Sequence, residues 1–156
     1  MIVAIHQPNL FPWLGFFDKM ARADLFILLD HVQFTRRGYQ NRVQLKGPQG
    51  LQWLTVPVKS KGLYQQLTCD VEINGEAGDW RQAHLKTLER LYRGAPGYAE
   101  LIPAVADLYH SPQTRLVDLT IPAIEWIKSR LEIDTPIRLA SDLPVAGTRS
   151  AFDRLE

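Results

Sequence analysis

The N-terminal run of this chain constrains its fold more than any other segment. Met1–Ile5 is apolar and rich in β-branched residues, which is typical of a buried strand. The run stops at a polar tetrapeptide, His6-Gln7-Pro8-Asn9, and a helical pattern opens at Trp13. Because ligands of open α/β sheets bind outside the C-terminal ends of the strands, this loop is the first candidate for a functional site. The alternative is an irregular loop whose histidine satisfies a backbone group.

The next elements predict a βαβ unit. A helix from Trp13 to about Ala23 precedes a second apolar run, Asp24–Leu29, which ends at Asp30. Two strands joined by a short helix indicate a parallel pair, so His6 and Asp30 would emerge at the same edge of the sheet. A carboxylate beside an imidazole fixes its tautomer and raises its basicity. We therefore predict His6 as a general base and Asp30 as its orienting partner. The alternative for Asp30 is a turn or capping residue.

The remainder of the chain predicts a hairpin followed by helices. The expected elements are a hairpin of Arg42–Lys46 and Leu51–Val58, a strand at Thr68–Ile73, helices at Trp80–Tyr92 and Tyr98–Tyr109, a third helix capped at Ser111 and ending near Leu131, and a last strand at Pro136–Ala140. The predicted fold class is α/β, with a short parallel sheet, an inserted antiparallel β-hairpin and a helical C-terminal half. We expect one domain over residues 1–156.

The charge pattern predicts a surface that meets an anion. The chain has a net charge of +1, yet His31–Cys69 contains no acidic residue and carries six cations: Arg36, Arg37, Arg42, Lys46, Lys59 and Lys61. A phosphate or pyrophosphate fits this acid-free span better than nucleic acid does, because six cations are few for tracking a duplex. The alternative is a solvated basic hairpin. Aromatic residues within the span can stack on a base or sugar, or can face a core: Tyr39, Trp53 and Tyr64.

Amide and basic side chains near the two strand ends are the predicted contacts to substrate. An arginine binds a phosphate or carboxylate with a planar fork, and amides suit sugar hydroxyls or a base edge. The same amides can instead hold a long loop together through backbone hydrogen bonds. The predicted substrate-binding or anion-binding residues are Gln7, Asn9, Gln33, Arg36, Asn41, Arg42 and Lys46.

Several classes of protein lack support in the sequence. Cys69 is the single cysteine, so neither an intramolecular disulfide nor a cysteine metal cluster can form, which suits a reducing cytoplasm. The sequence contains no GxGxxG or GxxxxGK[ST] motif and no apolar stretch long enough to span a membrane. We predict no metal, no cofactor, no nucleic-acid partner and a cytoplasmic location.

Six short elements of the chain form a recognisable set: His6-Gln7-Pro8-Asn9, Pro12-Trp13-Leu14-Gly15, Asp30, Val32-Gln33-Phe34, Asn41-Arg42 and Trp53–Val58. With these elements the sequence resembles the WbqC-like protein family, which is linked to bacterial O-antigen and other surface-polysaccharide pathways. The chain departs from the family pattern at His31 and at Val43-Gln44. A weaker likeness, to the start of HUP nucleotidylyltransferases, lacks their second histidine.

The resemblance implies a transferase of nucleotide-sugar metabolism that moves an acyl or aminoacyl group onto an amino-sugar nucleotide. Its partners would be a phosphorylated or nucleotide-sugar substrate and an acyl-carrier protein. The alternative is a non-catalytic binding or scaffold protein of the same pathway. Family members are longer than this chain, so we also expect an exposed sheet edge or apolar patch and self-association into a homo-oligomer.

Overall fold

The structure is a computed structural model, and it describes residues 1–143. The predicted mixed α/β class is confirmed. A three-stranded parallel sheet has the order β1-β2-β5, and β3 and β4 form a separate antiparallel hairpin. The elements are β1 Val3–His6, α1 Leu14–Ala21, β2 Leu25–Leu28, β3 Arg42–Gly47, β4 Gly50–Thr55, α2 Trp80–Tyr92, α3 Tyr98–His110, α4 Val117–Arg130 and β5 Ile137–Leu139.

The parallel sheet packs one face against helices. β1 pairs with β2 in the register Val3↔Leu25 to His6↔Leu28, and β2 pairs with β5. One core joins α1, α4 and the sheet; its buried members are Phe16, Phe17, Met20, Phe26, Leu28 and Ile124. Alternate residues of a strand point to opposite faces, so Val3 and Ile5 point away from this core. They are 40% and 49% exposed.

A second core lies under the hairpin and against the C-terminal helices. Leu10, in the loop after β1, is buried in this core together with Val56 and Tyr109. The Leu10 amide also donates to the Tyr39 carbonyl at 3.0 Å. The loop after β1 is therefore held against the segment that leads into the hairpin. This contact fixes the position of the candidate functional loop.

The predicted strand at Thr68–Ile73 is wrong. Thr68–Asp70 is a 3₁₀ turn, and Ile73 forms only an isolated bridge, with Val58. The Thr68 amide and hydroxyl both donate to the Val32 carbonyl, at 2.8 and 3.0 Å. These local bonds tie the segment to the loop after β2, so it does not extend along a neighbouring strand.

Two other predicted boundaries differ from the structure by three residues or more. The fourth strand ends at Thr55 and not at Val58. Pro57 lies within the predicted strand and has no amide hydrogen to donate to a neighbouring strand. The third C-terminal helix begins at Val117 rather than after Ser111. Ser111 closes α3, since its amide donates to the Asp107 carbonyl.

Candidate functional site

His6 lies at the end of β1, with its ring between α1 and the loop that follows the strand. The imidazole packs edge-on against Trp13 and Phe16, with ring centroids 5.7 and 5.0 Å apart. Its Nδ1 lies 2.9 Å from the Gln7 carbonyl oxygen. A carbonyl can only accept a hydrogen bond, so Nδ1 carries the proton of the neutral ring and Nε2 carries the lone pair. Within residues 1–143, Nε2 has no hydrogen-bond partner.

The surroundings of His6 favour its neutral form. Burial lowers the pKa of the imidazole, the bond to the Gln7 carbonyl opposes that shift, and the Lys19 ammonium lowers the pKa further. The ring is therefore unprotonated at neutral pH. A neutral imidazole with a free Nε2 can accept a proton, which is the state that a general base requires.

Asp30 follows β2 at the same edge of the sheet as His6, and its carboxylate is bound by another residue. Its carboxylate is 3% exposed and accepts two hydrogen bonds from Ser141: from the amide at 2.9 Å and from the hydroxyl at 2.6 Å. Among the described residues, no hydrogen bond joins Asp30 to His6. The carboxylate instead ties the end of β2 to the turn after β5, and the Gln7 carbonyl orients the imidazole.

An open cleft of about 450 Å³ lies between the loop after β1 and the hairpin. We call it the aromatic cleft; its lining residues are Asn9, Leu10, Phe11, Pro12, Trp13, Tyr39, Val43, Gln44, Lys46 and Leu51. Trp13 belongs to the lining and also contacts the His6 ring. The predicted base therefore lies beside the cleft, behind one of its aromatic residues.

Large apolar side chains are unusually exposed around this cleft. Trp13 is 55% exposed and Tyr39 48%, with ring centroids 6.5 Å apart. Trp53 is 40% exposed and lies 5.5 Å from Tyr39. Contiguous exposed aromatic residues rimmed by polar groups indicate a place where a ligand binds.

The outer face of the hairpin brings cations to the same place. Side chains alternate along β3, so Arg42, Gln44 and Lys46 share one face of the hairpin. Their face also carries Trp53 and Leu51 of β4, which pair with Gln44 and Lys46 across the two strands. The Arg42 guanidinium lies over the Trp53 ring at 4.1 Å and donates to the Arg37 carbonyl. Arg42 Nε is buried and has no partner within residues 1–143. An arginine held flat with an unused donor is suited to receive an anionic oxygen or a water.

The other predicted contacts divide into two groups. Gln33 and Asn41 donate to the Tyr64 and Val56 carbonyls, at 2.9 and 3.0 Å, so they hold loops together as the alternative interpretation proposed. Arg36 stacks on Tyr64 at 4.5 Å, apart from the lining of the aromatic cleft. Lys46 and Asn9 line the cleft, and Asn9 is 5% exposed. Gln7 contributes its carbonyl to His6.

Backbone strain flanks the aromatic cleft. Phe11 and Arg37 have φ values of +43° and +61°, in the left-handed region that a bulky residue rarely adopts. Phe11 lines the cleft, and the Arg37 carbonyl holds Arg42. Such strain persists only where the surrounding structure enforces it, and it concentrates at functional sites.

The cleft-lining residues that the sequence did not indicate as site residues include Trp13, Gln44 and Leu51. The alternation of β3 and β4 contains the signal for the last two, since it places them beside Arg42, Lys46 and Trp53. Nothing in the sequence indicates that the Trp13 side chain turns toward His6.

Metal and membrane sites find no support in the described part of the chain. Within residues 1–143, no three His, Cys, Asp or Glu side chains are grouped to hold a metal ion. No helix of this part is both long and apolar enough to cross a membrane.

Comparison with known proteins gives a family but no activity. The model of the WbqC-like protein family matches residues 7–155. The chain is 40% identical over 145 residues to the uncharacterized protein Rv1507c of Mycobacterium tuberculosis. That match covers 92% of this chain but spans only 62% of the relative's length. No solved structure matches the chain. With a family match over nearly its whole length, the chain belongs to the WbqC-like protein family.

Proposed function

We propose that this chain is a transferase of bacterial surface-polysaccharide or nucleotide-sugar biosynthesis, which moves an acyl or aminoacyl group onto an amino-sugar nucleotide. The observation that carries the proposal is the aromatic cleft: an open, aromatic-lined site on the acid-free span, beside a neutral histidine. Family membership supports the pathway, and the side chains of the cleft support the substrate class.

The cations of the hairpin face support a phosphorylated substrate. Lys46 lines the cleft, and Arg42 is held on the same face of β3 by Trp53 and the Arg37 carbonyl. The span from 31 to 69 has no carboxylate to repel a phosphate. A cation next to an aromatic wall provides both parts of what a nucleotide sugar needs, a charge for its phosphates and a surface for its rings.

His6 supports a transfer step. In the proposed reaction, the amino-sugar nitrogen attacks the acyl carbon of a carrier thioester, so an N–C bond forms as the C–S bond breaks. His6 Nε2 takes the proton that the amine loses and returns it to the departing thiolate. The Gln7 carbonyl holds the tautomer that this step requires, in the place that the sequence assigned to Asp30.

A non-catalytic binding or scaffold protein of the same pathway is the second candidate. Asp30 is bound by Ser141, and no carboxylate of residues 1–143 is hydrogen-bonded to His6, so none of these would stabilise the imidazolium that forms on it. A site that only binds its ligand does not need one.

Matched charge reversals test substrate binding. We expect isothermal titration calorimetry to detect a nucleotide sugar such as UDP-N-acetylglucosamine, and we expect Lys46→Glu to weaken it at least about tenfold, since an attraction becomes a repulsion. Lys61→Glu is the control, because it makes the same change in the acid-free span outside the cleft lining. Equal losses in both variants would contradict a site in the cleft.

The variant His6→Gln separates the two candidate functions. If the protein is a transferase, His6→Gln should abolish acyl or aminoacyl transfer but leave the affinity for the ligand unchanged. Mass spectrometry of the sugar nucleotide measures the transfer. A binding protein should show no transfer in either form. Transfer that survives the substitution would exclude His6 as the base.

A further inference from the structure

We propose that Trp13 is the surface on which the sugar ring of the ligand stacks, and that Gly15 is the positioning residue that sets the Trp13 indole. This inference rests on the proposed function, since it assumes that the aromatic cleft takes a phosphorylated ligand. It adds which part of the ligand the cleft recognises. The ligand is a sugar phosphate that binds with its sugar ring on Trp13 and its phosphate toward Lys46.

The position of Trp13 depends on the absence of a side chain at residue 15. A Cβ atom built on Gly15 would lie 2.6 Å from Trp13 Nε1 and 3.1 Å from Cδ1. Trp13 is the N-cap residue of α1 and has an extended backbone, so its indole lies back over the first turn of the helix. Gly15 leaves the space for it. Any larger residue there would push the indole away from its present place beside His6 and the cleft.

The aromatic walls admit one ring from one side. Trp13 and Tyr39 have centroids 6.5 Å apart and planes inclined at 58°. A nucleobase held between two rings needs parallel walls about 7 Å apart, twice a contact distance of about 3.5 Å. The two rings do not provide that gap. One-sided stacking against an exposed indole suits the apolar face of a sugar ring.

Trp53 is a poorer candidate for the same role. Its side chain is not part of the cleft lining, and the Arg42 guanidinium already lies over one face of its ring at 4.1 Å. The polar side chains that line the cleft include the amides of Asn9 and Gln44 and the ammonium of Lys46. Amides donate and accept together, which matches sugar hydroxyls, and the ammonium matches a phosphate.

Three probes measured by calorimetry test the proposal: inorganic phosphate, glucose 1-phosphate and UMP. We expect the wild type to bind glucose 1-phosphate about fivefold more tightly than inorganic phosphate, the size of one aromatic contact. Trp13→Leu should bring that ratio close to one without changing the affinity for inorganic phosphate. Trp13 is more than half exposed, so the variant should fold.

The glycine pair tests the positioning role. Gly15→Ala should lower the same ratio, whereas Gly75→Ala, where a Cβ would meet nothing within 4 Å, should leave it unchanged. A general loss of stability in Gly15→Ala would lower both affinities together and would not move the ratio. A ratio that stays at the wild-type value in Gly15→Ala would overturn the role of this residue.

The remaining outcomes separate this inference from the proposed function. If the wild type binds inorganic phosphate and glucose 1-phosphate equally, the phosphate site stands and the sugar-ring proposal falls. If UMP binds most tightly and Trp13→Leu abolishes that advantage, the ring on Trp13 is a base and the sugar-ring proposal is wrong. If none of the three binds, both this inference and the phosphorylated substrate of the proposed function are wrong.

Discussion

The buried contact between Asp30 and Ser141 gives a direct test of whether Asp30 supports the fold or the chemistry of His6. Asp30 accepts from the Ser141 amide at 2.9 Å and from its hydroxyl at 2.6 Å. A hydrogen bond to a charged group contributes about 1.5–3 kcal/mol to stability. Ser141→Ala removes one such bond and should lower the free energy of unfolding by about 1.5 kcal/mol. Asp30→Ala removes both and should cost about 3–5 kcal/mol.

A double-mutant cycle in urea measures the coupling. The double variant should be about as stable as Asp30→Ala, because the second substitution removes a bond that the first has already broken. Circular dichroism at several urea concentrations gives the free energies, and unchanged m-values show that the comparison is valid.

The titration of His6 in Asp30→Asn decides the other half of the question. Because the Gln7 carbonyl rather than Asp30 holds the imidazole, the NMR titration midpoint of His6 should stay where it is in the wild type. An aspartate paired to a histidine would shift that midpoint by about 1 pH unit or more when its charge is removed. Such a shift, together with full stability in Ser141→Ala, would refute the structural role of Asp30.

Three further predictions concern pH and assembly. Burial lowers the pKa of His84, and the bond between its Nε2 and the Thr55 carbonyl opposes that shift. Because the unfolded chain takes up the proton first, the free energy of unfolding should fall as pH drops below about 6.5. Urea titrations at several pH values should show a weaker pH dependence in His84→Gln, and an unchanged slope would contradict this prediction. The rate of any transfer should rise with pH through the lowered pKa of His6 and level off by neutral pH, as steady-state assays would show; a rate still rising above pH 8 would point to another base. The exposed Val3 and Ile5 should drive self-association, so sedimentation velocity should find a dimer in the wild type and a monomer in Ile5→Lys, and a wild-type monomer at high concentration would exclude this.

The strands and helices with strong apolar patterns could be predicted from the sequence. Trp80–Tyr92 forms a helix with the predicted bounds, and the apolar runs at both ends of α1 form the parallel pair β1 and β2. In each case local periodicity and tertiary packing favour the same element.

The features that sequence patterns did not indicate depend on side-chain contacts made in the folded protein. The Thr68 hydroxyl bonds to the Val32 carbonyl, which converts a predicted strand into a 3₁₀ turn. Asp30 accepts a hydrogen bond from Ser141, a residue 111 positions away in the chain, and no local sequence pattern predicts that contact. The position of the Trp13 indole depends on the space over Gly15. Propensity describes the backbone, whereas these contacts depend on the folded arrangement of side chains.

The most direct test of the central claim, that the aromatic cleft binds a phosphorylated sugar, is an NMR titration of the four indole N–H groups. With UDP-N-acetylglucosamine, the Trp13 signal should shift most, because this indole lines the cleft; the Trp53 signal should shift less, because Trp53 lies beside Tyr39 but outside the lining. The Trp80 and Trp126 signals should stay in place, because Trp80 is buried in the second core and Trp126 lines a separate groove. Shifts confined to Trp80 or Trp126, or no shift at a saturating ligand concentration, would contradict the claim.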